Sequence, residues 1–182
     1  MGEIVYFAQQ SVDGFIEGPE GEFDWPAVGP ELSEYSRAAG EQAGAFLYGR
    51  VVWEMMSGFW PRAEELSDDP HDLAFAPAWR AKPKLVVSRT LQGAEWNTRV
   101  LADLDELAAA KKEAEGDIVL FGGSELAAAL TERGLIDEYR LIVHPVALGG
   151  GKRAFADPGR LGLELSESRV FDGTAVLLRY RR

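Results

Sequence analysis

The sequence predicts an α/β layered sheet, mostly parallel and closed by an antiparallel C-terminal ribbon. Short apolar runs alternate with helical patterns through the middle of the chain, as in AFLYGRVVWEMM and DIVLFGGSELAAALTERG, and that alternation marks parallel βα units. Two of these runs end in glycine where a helix begins, at Gly49 and at Gly122-Gly123. Near the C-terminus, Asp172-Gly173 separates two strand-like segments, a strong short-range hairpin signal.

The elements follow in order. Ile4 to Gln9 reads as a buried strand, and SVDGFIEGPEGEFDWP after it as a turn-rich loop dominated by glycine, proline and aspartate. Glu31 to Ala43 reads as a helix. Ala45 to Tyr48 is a short strand ending in Gly49 and Arg50, with a helix of one or two turns in VVWEMMSGFW. Pro61 to Pro83, with four prolines and an acidic run, reads as a surface excursion with helix around Leu73 to Arg80. KLVVS (Lys84 to Ser88) is a strand and Glu95 to Val100 another. Asp103 with Glu106 forms a capping-box pattern opening a helix to about Glu115. Gly134 closes the helix after Gly123. Glu138 to Val146 alternates as a strand that Pro145 makes an edge or ends. Val170 to Tyr180 forms the hairpin.

With 182 residues, 46% of them hydrophobic, the chain can bury one core, and a single domain over residues 1–182 is expected. The absence of cysteine excludes disulfides, thiolate nucleophiles and cysteine-ligated metals. His71 and His144 are the only histidines, so no metal centre is expected. A formal charge of −11 argues against nucleic-acid binding, which depends on lysine and arginine at phosphates. The first residues, MGEIVYFAQQ, lack a signal-like n-region, and no apolar run reaches the ~18 residues of a membrane span. A cytoplasmic protein is expected.

Three strand ends suit phosphate. Gly122-Gly123 lets backbone approach a ligand closely, and the helix behind it presents unpaired N–H groups and a partial positive charge. Gly49-Arg50 repeats that arrangement and adds a guanidinium. Ser88-Arg89-Thr90 supplies two hydroxyls and a cation at the end of KLVVS. Ligands of open α/β sheets gather at such carboxyl ends, and a dinucleotide would use several. The GxGxxG fingerprint is absent.

The ordered set SVDGFI, YGRVVWE, KLVVSRTL, VLFGGSELAAAL and GLIDEYRLIVHPVALGGGKRAF, covering essentially the whole chain, resembles the dihydrofolate reductase superfamily. More closely it resembles the RibD C-terminal reductase domain and its small stand-alone relatives. The resemblance implies a three-layer α/β/α fold with a mixed, mostly parallel central sheet and antiparallel C-terminal strands. It implies NADPH as cofactor, with Gly49, Arg50 and Val51 at its phosphates and Ser88, Arg89 and Thr90 at the adenosine ribose and 2′-phosphate. By family position Gly122, Gly123, Ser124, Glu125 and Leu126 would cradle the pyrophosphate, and Gln9 and Ile16 would flank the nicotinamide. The implied activity is reduction of a small heterocyclic substrate, as by 5-amino-6-(5-phosphoribosylamino)uracil reductase of riboflavin biosynthesis. The alternatives are dihydrofolate reduction and, outside enzymes, a nucleotide-binding module without catalysis.

Hydride transfer also needs a proton delivered beside the reduced carbon. Asp13, Asp24 and Glu31 are the acids available near the cleft, with Ser11 and Gln10 as polar positioners. Folate reductases carry an acid in the first helix after the tryptophan loop; here WPAVGPE puts Pro30 near that position, with Glu31 as the substitute. Asp13 also reads as a turn aspartate before Gly14. Trp25 is a cover for the cleft, and Lys152 a contact for a substrate phosphate or part of a hairpin loop. His144 reads as a satisfied core or edge histidine and His71 as solvated. Trp53, Trp60, Trp79 and Trp96 read as core or interface packing. Stand-alone relatives often pair, so a homodimer is expected.

Overall fold

Ten strands and six α-helices make up the computed structural model, which describes residues 1–156 and 159–182. The first half holds β1 (Ile4–Ser11), β2 (Phe15–Glu17), α1 (Pro30–Gln42), β3 (Ala45–Gly49), α2 (Arg50–Phe59), a 3-10 turn (Trp60–Arg62), α3 (Ala63–Leu66), α4 (Pro70–Ala81) and β4 (Lys84–Val87). The second holds β5 (Thr98–Leu101), α5 (Leu104–Glu113), β6 (Ile118–Phe121), α6 (Ser124–Glu132), β7 (Glu138–His144), β8 (Lys152–Arg153), β9 (Glu164–Phe171) and β10 (Ala175–Arg181). The chain divides into two compact units, residues 1–3 with 33–119 and residues 4–32 with 120–182.

In the first unit β3, β4 and β5 are parallel, with Phe46 opposite Lys84 and Lys84 opposite Thr98. An aromatic core packs beside them. Trp79, fully buried, stacks on Trp53 at 5.8 Å and donates its indole N–H to the Tyr48 hydroxyl at 3.0 Å. Phe75 stacks on Phe46 at 5.9 Å. Each such ring pair adds on the order of 1 kcal/mol beyond the area it buries.

This core corrects the expectation that Pro61 to Pro83 is a surface excursion. Phe75, Ala76 and Trp79 share one face of α4, because positions three and four apart meet on a helix. Asp69 caps α4 by accepting from the His71 amide at 2.8 Å, and Pro70 stands at its first position. Burial of that face outweighs the backbone hydrogen bond that Pro77 removes inside the helix. His71 is not simply solvated: its Nδ1 lies 2.9 Å from Ser33 Oγ and its ring stacks on Phe75 at 6.0 Å. The strand expected from Glu95 starts instead at Thr98, since Trp96 and Asn97 take φ of 60° and 56°, incompatible with extended pairing. Trp96 is partly exposed rather than core. Asp103 caps α5 as predicted, accepting from the amides of Asp105 and Glu106.

In the second unit β1 runs parallel to β7, β7 antiparallel to β10, and β10 antiparallel to β9. Parallel pairing in each unit, with antiparallel pairing confined to the C-terminal strands of the second, bears out the expected mixed, mostly parallel strand pattern. β7 is paired on both sides and is no edge. Pro145 falls just after His144, the last residue paired, so its missing N–H costs no ladder bond. The hairpin turns at Asp172 and Gly173, both at positive φ (53° and 66°), although β9 begins at Glu164, before the expected Val170.

Inside the loop expected to be all turn, β2 pairs with β8, Phe15 opposite Arg153 and Glu17 opposite Lys152. Gly151, at φ 115°, lets them approach: a Cβ there would lie 2.0 Å from the Glu17 carbonyl oxygen.

Candidate functional site

In the first unit the sequence-predicted residues gather at the carboxyl ends of two adjacent strands. β3 and β4 are parallel with Gly49 opposite Val87, which places Gly49, Arg50 and Val51 beside Ser88, Arg89 and Thr90. Gly49 precedes α2 with extended backbone and no side-chain cap, leaving the first-turn amides without the partner that a capping side chain supplies. The Ser88 hydroxyl accepts from the amides of Thr90 (3.2 Å) and Leu91 (3.0 Å), folding a tight turn that leaves Arg89 exposed. Arg50 pairs with Glu54 at 2.9 Å across one helical turn, both side chains about half exposed. An exposed pair of this kind is worth about 0–1 kcal/mol, so the guanidinium is cheaply redirected to a phosphate.

In the second unit β6 leads into α6 through Gly122 and Gly123, both left-handed at φ 57° and 69°. The Gly122 amide donates to the Phe7 carbonyl of β1 at 3.1 Å, and nothing lies within 4 Å of the position a Gly122 Cβ would take. The Ala127 amide bonds the Gly123 carbonyl, so the amides of Ser124, Glu125 and Leu126 precede the helical ladder. Ser124 is 1% exposed, and its hydroxyl has no hydrogen-bond partner among the described residues. An unpaired buried hydroxyl costs about 1–3 kcal/mol, a cost a bound acceptor removes.

Around the ends of β1 and β7 lies a second polar group. Ser11, fully buried, donates to Asp13 Oδ1 at 2.6 Å and accepts from the Phe15 amide at 2.9 Å. Asp13 also accepts from the amides of Leu148 (3.1 Å) and Gly149 (2.8 Å). These bonds, the Ser11 hydroxyl first, hold its carboxyl at about 2, well below the usual carboxylate range. Asp13 thus ties the β1 turn to the loop before β8. Glu31 is engaged in a similar way, since Asp172 accepts from the amides of Glu31 and Leu32 while Glu31 accepts from the Asp172 amide at 2.6 Å, a reciprocal cap. Asp24 is exposed. Lys152 lies 3.5 Å from Glu17. Ile16 is buried on β2.

His144 is buried, but it is not the satisfied histidine the sequence suggests. Its Nε2 donates to Gln9 Oε1 at 2.8 Å, while Nδ1 is shielded and has no partner among the described residues. Burial holds its pKa below the ordinary imidazole value, so the ring is neutral at pH 7. The Trp25 ring stands edge-on to it, centroids 5.7 Å apart, and the Trp25 indole N–H is likewise shielded and unpartnered. Sequence reasoning found Trp25 and Gln9 but passed over His144, whose one signal was a polar residue closing an apolar strand. Among the described residues no cluster of His, Asp or Glu is suited to a metal, and no helix is long and apolar enough to cross a membrane.

The model of the RibD C-terminal domain family matches residues 3–177. Uncharacterized protein YyaP of Bacillus subtilis (strain 168) is 34% identical over 176 residues, covering 93% of this chain and 89% of that protein. Among solved structures, a Shewanella sp. PV-4 protein named for riboflavin biosynthesis superposes with a TM-score of 0.74 at 23% identity, covering 100% of this chain and 99% of that one. Dihydrofolate reductase from Enterococcus faecalis, solved with NADP(H) and RAB-propyl, gives 0.65 at 15% identity, covering 100% and 96%. These two likenesses show a dihydrofolate reductase-like fold. With the family match running from just before β1 into β10, the chain belongs to the RibD C-terminal domain family.

Proposed function

We propose that the protein is an NADPH-dependent reductase of a small heterocyclic compound, of the kind reduced by 5-amino-6-(5-phosphoribosylamino)uracil reductase. The observation that carries this reading is the Gly122-Gly123-Ser124 junction. Two left-handed glycines, a helix N-terminus and a buried hydroxyl lacking an acceptor form a cradle whose chemistry fits a phosphate group. Gly49-Arg50 and Ser88-Arg89-Thr90 are a second set suited to phosphate, on a chain whose net charge of −11 otherwise repels anions. NADPH, when bound, supplies a hydride; the chain supplies binding and orientation. Arg50 and Arg89 are assigned to the phosphates, the latter with Ser88 and Thr90 at the 2′-phosphate.

NADPH titration followed by intrinsic fluorescence tests this. Binding that weakens about tenfold or more in Arg50→Ala supports it, and equal binding by the two proteins rejects it. A second reading, a nucleotide-binding module without turnover, draws on the hydrogen bonds that engage the carboxylates of Asp13 and Glu31. NADPH binding with no oxidation across pterin and aminopyrimidine substrates selects it. Homodimerisation belongs to the same reading: β9 exposes Leu165 and Val170, and light scattering of the purified chain reports whether it pairs.

A further inference from the structure

We infer that Trp53, Trp96 and Glu95 form a binding site for a small organic cation of the methylated-ammonium kind. The site belongs to the first unit, and the inference is independent of the reductase reading.

A cavity of about 350 Å3 is lined by Trp53 and Ser57 of α2 and by residues 93–96 ahead of β5. That volume is at the lower end of the range for small-molecule sites. Gly93, Glu95 and Trp96 are exposed, so the cavity opens to solvent, while Trp53 is buried. Glu95 and Trp96 lead into the amino end of β5, whereas the phosphate-suited residues stand at the carboxyl ends of β3 and β4. The two sites are different places in the same unit.

Trp96 is held in a backbone conformation that its type disfavours. Its φ of 60° is left-handed, an outlier for a bulky residue. The turn is fixed from several sides. The Lys84 ammonium donates to the Trp96 carbonyl at 2.7 Å, the Lys84 amide to the Asn97 carbonyl at 2.9 Å, and the Asn97 side-chain amide to the Ala81 carbonyl at 3.3 Å. Strained conformations persist where the surroundings over-determine them, and they cluster at ligand sites. Here the strain does not serve core burial, since Trp96 stays partly exposed on the wall of a cavity.

The lining selects the ligand. Indole faces carry negative potential and attract cations. Among the described residues, Glu95 is the one ionisable group of the lining, so its formal charge is negative. Ser57 donates its hydroxyl proton to the Glu54 carbonyl at 3.3 Å, which leaves the oxygen an acceptor. The same aromatic cluster already takes one cation: Lys84 Nζ lies 4.3 Å from the Trp79 centroid, and Trp79 stacks on Trp53. That ammonium opposes a second cation, and the Glu95 carboxylate offsets it. A primary ammonium needs acceptors for three N–H groups, whereas a quaternary one needs none and turns its methyl groups to the indoles.

Choline is the probe, with 3,3-dimethylbutan-1-ol as its uncharged isostere, each titrated calorimetrically into the full chain. Choline should bind with a Kd in the millimolar range or tighter, and at least tenfold more tightly than the isostere. Trp96→Leu, which removes the aromatic face, should lose about tenfold, Trp96→Phe should recover most of that loss, and Glu95→Gln should lose about threefold or more. Urea midpoints show which variants fold; if Trp96→Leu does not, Glu95→Gln and the Trp96 signal carry the test. In 1H–15N spectra the Trp96 indole signal should move on saturation with choline while the Trp25 signal stays, each identified by its loss on substitution with Phe.

No saturation at tens of millimolar choline, equal affinity for the isostere, unchanged binding in a folded Trp96→Leu or in Glu95→Gln, or a Trp96 signal that does not move overturns the inference. Choline binding without NADPH binding rejects the cofactor reading and leaves this one standing. NADPH binding without choline binding does the opposite.

Discussion

Replacing Ser124 with alanine should make the protein more stable and a poorer cofactor binder at once. Ser124 is 1% exposed, and its buried hydroxyl is unpartnered among the described residues, so folding strips it of water with nothing in return, at about 1–3 kcal/mol. Alanine removes that cost and is favoured within a helix by about 0.5 kcal/mol. The void left by one oxygen takes back part of the gain. A net stabilisation of about 1 kcal/mol is expected, read as a rise of roughly 2–4 °C in Tm for a chain of this length or as a shifted urea midpoint with unchanged slope. The same substitution removes a hydroxyl donor from a proposed phosphate site, where a charge-assisted bond is worth about 1.5–3 kcal/mol, so NADPH affinity should fall about tenfold or more. A destabilised variant means that Ser124 has a folding partner and that the cradle argument is wrong. A variant as stable as predicted but binding NADPH as well as wild type removes Ser124 from the cofactor site.

Two further substitutions test the fold that positions these residues. Lys84 is fully buried over the Trp79 ring, donating to the carbonyls of Lys82 and Trp96 at 2.7 Å, and burial pushes its ammonium down to about 8. The unfolded chain therefore binds more protons than the folded one between about pH 8 and the ordinary lysine value, so stability should rise with pH through that window, by at most about 3 kcal/mol. Urea unfolding from pH 7.5 to 9.5 should show the rise in wild type and lose it in Lys84→Met; a flat wild-type profile contradicts the assignment. Gly151→Ala places a Cβ against the Glu17 carbonyl at a φ that L-residues avoid, and should cost at least about 2 kcal/mol. An unchanged urea midpoint would show that β8 does not need glycine to reach β2.

Much of this architecture was legible because its signals are local. A glycine where a strand passes into a helix, an Asp-x-x-Glu pattern and an Asp-Gly turn each act within a few residues, and Gly49, Gly122-Gly123, Asp103 and Asp172-Gly173 all stand where such reasoning puts them. What escaped was set by partners distant in sequence. Nothing near Phe15 announces that it pairs with Arg153. The helix around Leu73 to Arg80 was legible, but its burial was not, because Phe75 and Trp79 pack on Phe46 and Trp53 from distant parts of the sequence. Pro145 reads locally as marking either an edge strand or a strand end, and only the register decides for the end, with pairing to β1 stopping at His144.

The site divides the same way. Glycine, arginine and hydroxyls at strand ends are visible in the sequence as candidates for a phosphate site, and the fold sets Gly49 to Val51 beside Ser88 to Thr90 at adjacent strand ends. The hydrogen-bond standing of individual atoms is not visible in the sequence. Asp13 and Glu31 look alike in sequence as available acids, yet one ties down the loop at Leu148 and Gly149 and the other completes a cap with Asp172, 141 residues away. His144 looked satisfied, and only the folded surroundings reveal that one of its nitrogens has no partner among the described residues.

The central claim is that this chain binds NADPH through its glycine-led strand ends, and the direct measurement is a calorimetric titration of the full chain with NADPH and, separately, NADH. The account predicts one saturable site per chain, with NADPH at least tenfold tighter than NADH because Arg89, Ser88 and Thr90 are assigned to the 2′-phosphate. No heat of binding with either nucleotide at millimolar concentration would contradict the account outright, and equal affinities would remove the 2′-phosphate assignment.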